Sequence, residues 1–245
     1  MANNRLWDVL NKIKNIADPA AEQQLLKELI NIENSVIVSF INAHGLNLTA
    51  KSQTFRENLL RSDYLLRDGS GMSIMMKVLS LPVGLNMNGT DLIPKILSQS
   101  KEIPIALLGT KEPYLTQAKA RLESQGLNII YTCDGFQSNE HYLEQLKRLP
   151  VQPKIILLGM GMPKQEALSV ILKDRLAGER LIINGGAIID FTAERFDRAP
   201  TFLRKMGCEW LYRLGKEPRR LFNRYVIGNI SFLSKIPRLY FSHKK

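Results

Sequence analysis

The sequence predicts an α/β protein with a doubly wound, mostly parallel, Rossmann-like sheet, an N-terminal helical extension and a C-terminal basic helical appendage. Six short runs of aliphatic and β-branched residues, each followed by a helical pattern, indicate the sheet. Runs that are apolar throughout are typical of parallel strands buried on both faces. A concentration of positive charge near the C-terminus marks the appendage. We therefore divide the chain into residues 1–34, 35–194 and 195–245.

Composition indicates a globular protein with an anionic partner. Of the 245 residues, 44% are apolar and 23% are charged, and the formal net charge is +11. Residues 195–245, called the tail below, hold 13 Lys and Arg against 3 Asp and Glu, which is +10 of that total. The body is nearly neutral. The charge fits nucleic acid, a membrane surface or a phosphorylated substrate equally well.

Cysteine usage and hydropathy predict the compartment. Two cysteines, Cys133 and Cys208, make neither a disulfide framework nor a metal cluster, so we expect no metal and no cofactor. The first residues lack the apolar core of a signal peptide, and no window approaches the roughly 20 apolar residues of a spanning helix. We expect a cytoplasmic protein that contacts the inner face of the membrane only peripherally, with residues 222–241 of the tail lying in the interface as an anchor. The alternative for these residues is packing on the body or self-association.

Residues 5–34 read as one or two amphipathic helices that the Asp18-Pro19 pair interrupts. The apolar positions in register are Leu6, Leu10, Ile13 and Ile16 before the break and Leu25, Leu26, Leu29 and Ile30 after it. Packing on the sheet is one role for these faces. A contact with a second copy, and hence a homo-oligomer, is the other.

The predicted strands cover residues 36–41, 63–66, 103–109, 128–132, 154–159 and 180–185. In doubly wound sheets, ligands collect at the carboxyl ends of the strands, so the residues after each run are candidate site residues. These are Asn42, His44, Asp68, Gly69, Gly109, Gly135, Gly159, Gln165, Glu166 and Asp190.

Asp68 lies between a strand and a helical stretch, residues 72–79, and is followed by Gly69. A carboxylate there is a candidate general base, and an aspartate there is equally a helix N-cap. His44 is a candidate base or proton shuttle, although a single histidine is more often a hydrogen-bonded structural residue.

The turn from Gly159 to Glu166 places backbone N–H groups at a helix start, where anions bind. It lacks the third glycine of the dinucleotide fingerprint, because Lys164 and Gln165 occupy that place. No Walker loop is present. The turn predicts an anion site without predicting a nicotinamide cofactor.

The tail combines arginines with a helical apolar pattern. Pro200 opens a predicted helix with Phe202, Leu203, Met206, Trp210 and Leu214 on one stripe, and Glu217-Pro218 interrupts it. A second pattern places Phe222, Val226, Ile230 and Leu233 on one face. Planar arginine forks grip diphosphate well, which makes Arg213, Arg219, Arg220 and Arg224 candidate ligands. The alternative is a solvated basic face that only aids solubility.

Several motifs in these loops and in the tail recur in one family. They are Asn42, Asp68-Gly69, NGTDL at residues 88–92, LLG ending at Gly109, PKQE at 163–166, GG followed by Asp190, and the spaced set RAP, G-x-EW-x-YR, EP-x-R and RY over 198–225. Together they resemble the TagA/WecG/CpsF glycosyltransferases, over about residues 36–232. That family builds lipid-linked intermediates of bacterial surface polysaccharides.

The resemblance implies an inverting, metal-independent transfer of a sugar from a nucleotide donor, usually UDP-linked, to an undecaprenyl-diphosphate-linked sugar. Asp68 is then the leading base, with His44 beside it. Donor contacts are implied for Asn42, Gly69, Asn88, Asp91, Gly109, Gly135, Gly159, Gln165, Glu166 and Asp190. Diphosphate or acceptor contacts are implied for Arg198, Arg213, Arg219, Arg220 and Arg224.

Two positions depart from the family pattern. Phe40 stands where many members have a threonine, and Asn86 stands where many have an arginine. A role for that threonine cannot be transferred, and the missing arginine points to a different donor sugar or phosphate grip.

Two other classes of function compete with this interpretation. A nicotinamide-dependent oxidoreductase needs a glycine-rich loop after the first strand, which this chain lacks. A nucleic-acid-binding module accounts for the charge, yet the chain shows no recognition-helix or RNP signature. We therefore expect no nucleic-acid partner.

Overall fold

The computed structural model of the chain describes residues 2–243, with side chains described throughout except at residues 2–4, 205, 220 and 243. A single sheet of six parallel strands has the order β2-β1-β6-β5-β3-β4. The strands are β1 Val36–Ile41, β2 Tyr64–Arg67, β3 Ile105–Gly109, β4 Ile129–Cys133, β5 Ile155–Gly159 and β6 Leu181–Asn184. Each lies within two residues of a predicted run, so the predicted fold class is confirmed.

Helices connect the strands and cover both faces of the sheet. Those of the body are α1 Ala2–Lys12, α2 Pro19–Ile30, α3 Ala43–Lys51, α4 Gln53–Leu60, α5 Ser70–Val78, α6 Gly89–Ser98, α7 Tyr114–Ser124, α8 Asn139–Lys147, α9 Lys164–Arg175 and α10 Ile188–Thr192. One face buries apolar side chains of α2, α6, α7 and α10, and the other those of α8 and α9. A third cluster, from α1, α3, α4 and α5, covers the β1 and β2 end.

The two N-terminal helices pack on the sheet, so the packing role expected for them is confirmed. Asp18 caps α2 by accepting a 2.9 Å hydrogen bond from Ala21 N, which explains the break before Pro19. Leu10 of α1 and Leu25 of α2 are both buried, in different clusters.

The tail consists mostly of short helices. Its helices are α11 Thr201–Lys205, α12 Glu209–Lys216, α13 Pro218–Phe222, α14 Gly228–Leu233 and α15 Lys235–His243. Gly207 adopts a φ of 71° and divides the first predicted helix in two. Phe202 and Met206 are 61% and 69% exposed, so much of the first apolar stripe faces solvent.

A π-helical turn over Asn223–Ile227 lies within the second predicted helical pattern. A π turn holds one residue more than an α turn and so rotates the helix face that follows it by about 100°. Leu221 and Phe232 are buried, whereas Phe222, Ile230 and Leu233 are exposed. The face drawn through Phe222, Ile230 and Leu233 therefore points to solvent.

The end of the tail belongs to the core of the body. Phe232, Ile236 and Leu239 are buried in the same cluster as Leu6, Val9 and Met72. Asn47 of α3 donates a 2.7 Å hydrogen bond to Gly228 O and accepts a 2.6 Å bond from Lys235. Packing therefore does not end at residue 195, and Phe232, Ile236 and Leu239 of the last two helices are not available to a membrane.

Candidate active site

A cavity of about 330 Å³ lies at the carboxyl ends of β1 and β2. The body supplies one wall, which includes Asn42 and Asp68, and the tail supplies the other, which includes Arg213 and Arg224. This volume is within the lower range of small-molecule sites. We call it the Asp68 cavity.

Asp68 lies half-buried at the end of β2, and Asn42 at the end of β1 donates a 3.3 Å hydrogen bond to its Oδ2 atom. Asn42 also accepts from Gly45 N and so caps α3, which fixes its side chain. The first residue of the next helix is preceded by Gly69, and no side chain caps it. The alternative role of Asp68 as a helix cap is therefore wrong.

Burial raises the pKa of the Asp68 carboxyl, and the nearby Glu209 adds to that effect. The Asn42 hydrogen bond and the charges of Arg224 and Arg213 act in the opposite direction without cancelling it. A carboxylate with a raised pKa is a stronger base than an ordinary aspartate. This is the electrostatic property that proton abstraction needs.

Asn86, one of the two departures from the family pattern, supports the loop that carries Asp68. Its Oδ1 atom accepts a 2.7 Å hydrogen bond from Gly69 N, and Gly69 has a φ of 91°. The buried Arg67 holds the same loop from behind by donating to Gly69 O at 3.1 Å. Asn86 thus positions the loop, and it also lines the cavity.

His44 lines the Asp68 cavity at the start of α3. Burial, reinforced by the charges of Arg224 and Lys51, lowers the pKa of His44 to about 4. The ring is therefore neutral near pH 7. Its low basicity makes it a poor proton shuttle, and it contributes a neutral hydrogen-bonding group instead.

The arginines of the tail divide into two sets. Arg213 and Arg224 line the Asp68 cavity, as expected of diphosphate ligands. Arg198 instead forms a 2.9 Å ion pair with Asp91 of α6, and Arg219 is exposed outside the cavity. The side chain of Arg220 lies outside those that the structure describes.

Asn88 and Asp91 also have separate positions. Asn88 lines the cavity and caps α6 by accepting from Asp91 N at 3.0 Å. Asp91 points to the tail: burial raises its pKa, but hydrogen bonds from Asn88 and Arg198 outweigh this and leave the pKa below its ordinary value. Asp91 does not line the Asp68 cavity, and its ion pair with Arg198 connects α6 of the body with the tail.

A second polar cluster lies at the ends of β3 and β6. Asp190 of α10 accepts hydrogen bonds from Thr110 Oγ1 and, at 3.0 Å, from Arg195 Nη1. Arg195 also stacks on the Tyr114 ring at 4.6 Å. Arg213 lies between this cluster and the Asp68 cavity. Its guanidinium is 5.1 Å from the centre of the Phe191 ring, next to Asp190, and its side chain also lines the cavity.

The glycines at the ends of β3, β4 and β5 allow the backbones to approach one another. A Cβ on Gly109 would lie 2.5 Å from the carbonyl carbon of Gly159, and one on Gly135 would lie 3.1 Å from Thr110 N. Gly109 and Gly159 are buried. Close packing therefore explains these two glycines without a ligand.

Gln165 and Glu166 do not face the cavity as donor ligands would. Gln165 is buried, and its Oε1 atom accepts from Gly161 N at 3.2 Å and Gly186 N at 3.0 Å. Its amide donates to Glu166 and to Asn184 O. These bonds tie the β5 loop to the β6 loop and occupy an N–H group that we expected to bind an anion.

Comparison with known protein families decides the class. The family described as "Glycosyl transferase WecG/TagA/CpsF family" matches residues 8–245, nearly the whole chain. The chain belongs to this family. It is therefore a glycosyltransferase of surface polysaccharide synthesis, and the family implies a nucleotide-sugar donor and a sugar acceptor.

The sequence interpretation gave no site role to several residues that the structure places at the Asp68 cavity or exposes at a strand end. Glu209, Trp210 and Tyr225 line the Asp68 cavity, and Phe136 is 73% exposed at the end of β4. A signal for Glu209 was available, because it is one of only three acids in the tail. For Phe136 the signal was its place directly after Gly135, at the end of the fourth predicted strand.

The described residues contain neither a cluster of metal-ligand side chains nor a membrane-spanning helix. No group of three or more His, Cys, Asp or Glu side chains in residues 2–243 has an arrangement that could hold a metal ion. No helix in the same part of the chain is long and apolar enough to cross a membrane.

Proposed function

We propose that this glycosyltransferase moves a hexosyl group from a UDP-sugar to a hydroxyl of an undecaprenyl-diphosphate-linked sugar at the cytoplasmic face of the plasma membrane, with inversion and without a metal. The observation that carries the proposal is the Asp68 cavity, which a half-buried carboxylate with a raised pKa lines together with two arginines. A base and an anion grip in one cavity are the two groups that such a transfer needs.

In the proposed reaction, the Asp68 carboxylate takes the proton of the acceptor hydroxyl. The acceptor oxygen forms a bond to the anomeric carbon, and the bond from that carbon to the UDP oxygen breaks. A single displacement of this kind inverts the anomeric centre. The electron pair leaves with UDP, and Arg213 and Arg224 stabilise the charge that develops on the diphosphate.

The nucleotide is assigned to the ends of β3 to β6. Asp190 there is an acceptor for ribose hydroxyls, and the exposed Phe136 ring offers a face on which a base stacks. Arg213 spans from Phe191 to the Asp68 cavity, so a diphosphate at Arg213 connects a nucleotide on one side with a sugar on the other. Gln165 acts on the donor indirectly, by holding the two loops together.

Membrane contact is assigned to an exposed apolar surface next to the cavity. Ile74 and Val78 of α5 lie one turn apart, as do Ile230 and Leu233 of α14, and these four side chains are 45–66% exposed. Ile74 and Leu233 also line the Asp68 cavity. We call these four residues the apolar rim. Its position would bring the cavity opening to a lipid-linked acceptor.

The substitution Asp68→Asn tests the base. It keeps the shape of the side chain and removes proton abstraction, so turnover should fall by about 100-fold or more while UDP affinity stays close to that of the parent. The measurement is transfer from a panel of UDP-sugars to lipid-diphosphate-linked sugars, with UDP binding followed by calorimetry. Turnover at the parent rate in Asp68→Asn would exclude Asp68 as the base.

A further inference from the structure

The tail wall of the Asp68 cavity carries polar and aromatic side chains in addition to its arginines. Glu209 and Trp210 come from the start of α12, Tyr225 from the π-helical turn and Asn229 from α14. An acid, an amide and two aromatic rings thus face the Asp68 wall.

The two rings form a tilted pair. The Trp210 and Tyr225 ring centroids are 6.2 Å apart with an interplanar angle of 56°, and Trp210 is 36% exposed. Tyr225 in turn packs beside the Arg224 guanidinium at 5.6 Å. An indole that is fixed on one side and open on the other presents an apolar face to a ligand. A sugar ring matches that face because its axial C–H groups are apolar while its hydroxyls lie at the edge.

Glu209 provides the complementary polar group. It is half-buried, and it makes no hydrogen bond or ion pair with any residue whose side chain is described, although Arg213 and Arg224 line the same cavity. A carboxylate can accept from two hydroxyls at once, and the Asn229 amide can both donate and accept. The charge of Glu209 also contributes to the raised pKa of Asp68, which places the two carboxylates close together.

We propose that Glu209, Trp210, Tyr225 and Asn229 form the subsite for the acceptor sugar, with the sugar ring on Trp210 and its hydroxyls on Glu209 and Asn229. The assignment to the acceptor, rather than to the donor sugar, rests on the proposed function. The group that Asp68 deprotonates must belong to the acceptor, and this wall is continuous with Leu233 of the apolar rim. The donor nucleotide enters from the opposite side, past Arg213.

Direct binding tests the subsite without any transfer. The chain holds two tryptophans, so Trp7→Phe leaves Trp210 as the only indole emitter. Titration of this variant with N-acetylglucosamine 1-phosphate, glucose 1-phosphate and galactose 1-phosphate should produce a saturable change in emission for at least one of them. Glu209→Gln in the same background should weaken that binding about tenfold, as expected when a hydrogen bond to a charged group is lost. An emission unaffected by all three probes and by a short-chain sugar diphosphate acceptor overturns the subsite.

Kinetics with a soluble short-chain acceptor separate the acceptor from the donor. Trp210→Ala and Glu209→Gln should each raise the acceptor KM about tenfold or more and leave the UDP-sugar KM unchanged, and Trp210→Phe should recover most of the loss. Phe202→Ala is the matched control, because Phe202 is an exposed aromatic on the neighbouring helix that does not line the cavity. A rise in the donor KM alone, or no change in either KM, contradicts the proposal.

A failure of the acceptor subsite can be distinguished from a failure of the proposed function. If Asp68→Asn retains turnover, the assignment of the base fails, while a saturable Trp210 signal still supports a sugar subsite. If Asp68→Asn loses turnover but Trp210→Ala keeps the parent acceptor KM, the base stands and the subsite is overturned.

Discussion

Asn42 illustrates how one side chain serves both the fold and the site. Its Oδ1 atom caps α3, and its amide donates to Asp68. The cap fixes the rotamer, so the amide is held toward the carboxylate before any substrate arrives. A functional group that is fixed in this way loses little entropy when it acts.

Arg213 should affect how kcat/KM depends on pH. Arg213 favours the ionised form of Asp68, so Arg213→Gln should raise the pKa of the base further. Because the base works only when deprotonated, the acidic limb of kcat/KM should move to higher pH, by about 0.5–1 unit. The measurement is kcat/KM against pH for the parent and the variant. An unshifted limb would show that Arg213 does not act on Asp68.

Glu166 leads to a second prediction, on stability. It is fully buried, its Oε2 atom has no hydrogen-bond partner, and burial raises its pKa from 4.5 to about 7. In the unfolded chain the group ionises near its ordinary pKa. Its contribution to stability is therefore fully present below pH 4.5 and is lost as pH rises through about 7.

The substitution Glu166→Gln removes this ionisation and keeps the shape of the neutral acid. Relative to the parent, the variant should gain stability between pH 5 and pH 8, by roughly 2–3 kcal/mol. Thermal unfolding across this pH range measures the difference. Glu33→Gln is the control, since Glu33 is exposed. Parallel pH curves for parent and Glu166→Gln would contradict a raised pKa.

At the scale of elements, α14 shows how a local change of helix type assigns opposite roles to neighbours. After the π-helical turn, Phe232 points into the cluster beneath α1 and α5, and Leu233 points to the surface. Gly71 is close to the Phe232 ring, at 3.5 Å from a Cβ placed on that glycine. The helix therefore holds the tail against the body with one face and extends the apolar rim with the other.

The neighbouring pair Phe232 and Leu233 gives a matched prediction. Phe232→Ala should cost about 3–5 kcal/mol of stability, because it leaves a cavity in a packed cluster. For a chain of this size the unfolding temperature should drop by about 10 °C. Leu233→Ala should keep the unfolding temperature and weaken vesicle binding. Equal losses of stability for the two variants would contradict the orientation of α14. Thermal unfolding and vesicle co-sedimentation, run on both, are the measurements.

At the scale of the molecule, the positive charge is concentrated in the tail and not in the body that contains the sheet. Most of the net charge of +11 lies in residues 195–245, and the tail wraps around the cavity end of an almost neutral body. A tail with this charge draws an anionic surface toward the carboxyl edge of the sheet. Each Lys or Arg near an anionic bilayer contributes about 1 kcal/mol, and salt weakens this attraction.

The whole-molecule prediction concerns vesicles of phosphatidylglycerol and phosphatidylethanolamine. The parent should co-sediment with them at low salt and release as ionic strength rises. The double variant Val78→Glu/Ile230→Glu should bind several-fold less without a loss of thermal stability, because both side chains are exposed. Val151→Glu, an exposed residue after α8, is the control. Equal binding by the parent and the rim variant would exclude the apolar rim as the contact.

By itself, the sequence determined the sheet and the position of its strand ends. Six short apolar runs that alternate with helical patterns are typical of parallel strands buried on both faces, and the carboxyl ends of such strands place Asn42, Asp68 and Asp190 at one edge of the sheet. The break at Asp18-Pro19 and the end of α12 before Pro218 followed from backbone chemistry at those residues. These features depend on local patterns, which a sequence contains in full.

Only the tertiary structure decided which of the candidate residues meet. Arg198 and Arg213 belong to the same basic segment, yet one pairs with Asp91 and the other lines the Asp68 cavity. Gln165 follows a strand as a ligand would, but its amide is used between two loops. Gly207 and the π-helical turn interrupt the regular α-helix of the tail, Glu209 and Trp210 line the Asp68 cavity, and Phe202, Met206, Ile230 and Leu233 are exposed to solvent. Helical periodicity carries no information about such rotations, because a single positive φ or one extra residue in a turn resets the face of everything that follows.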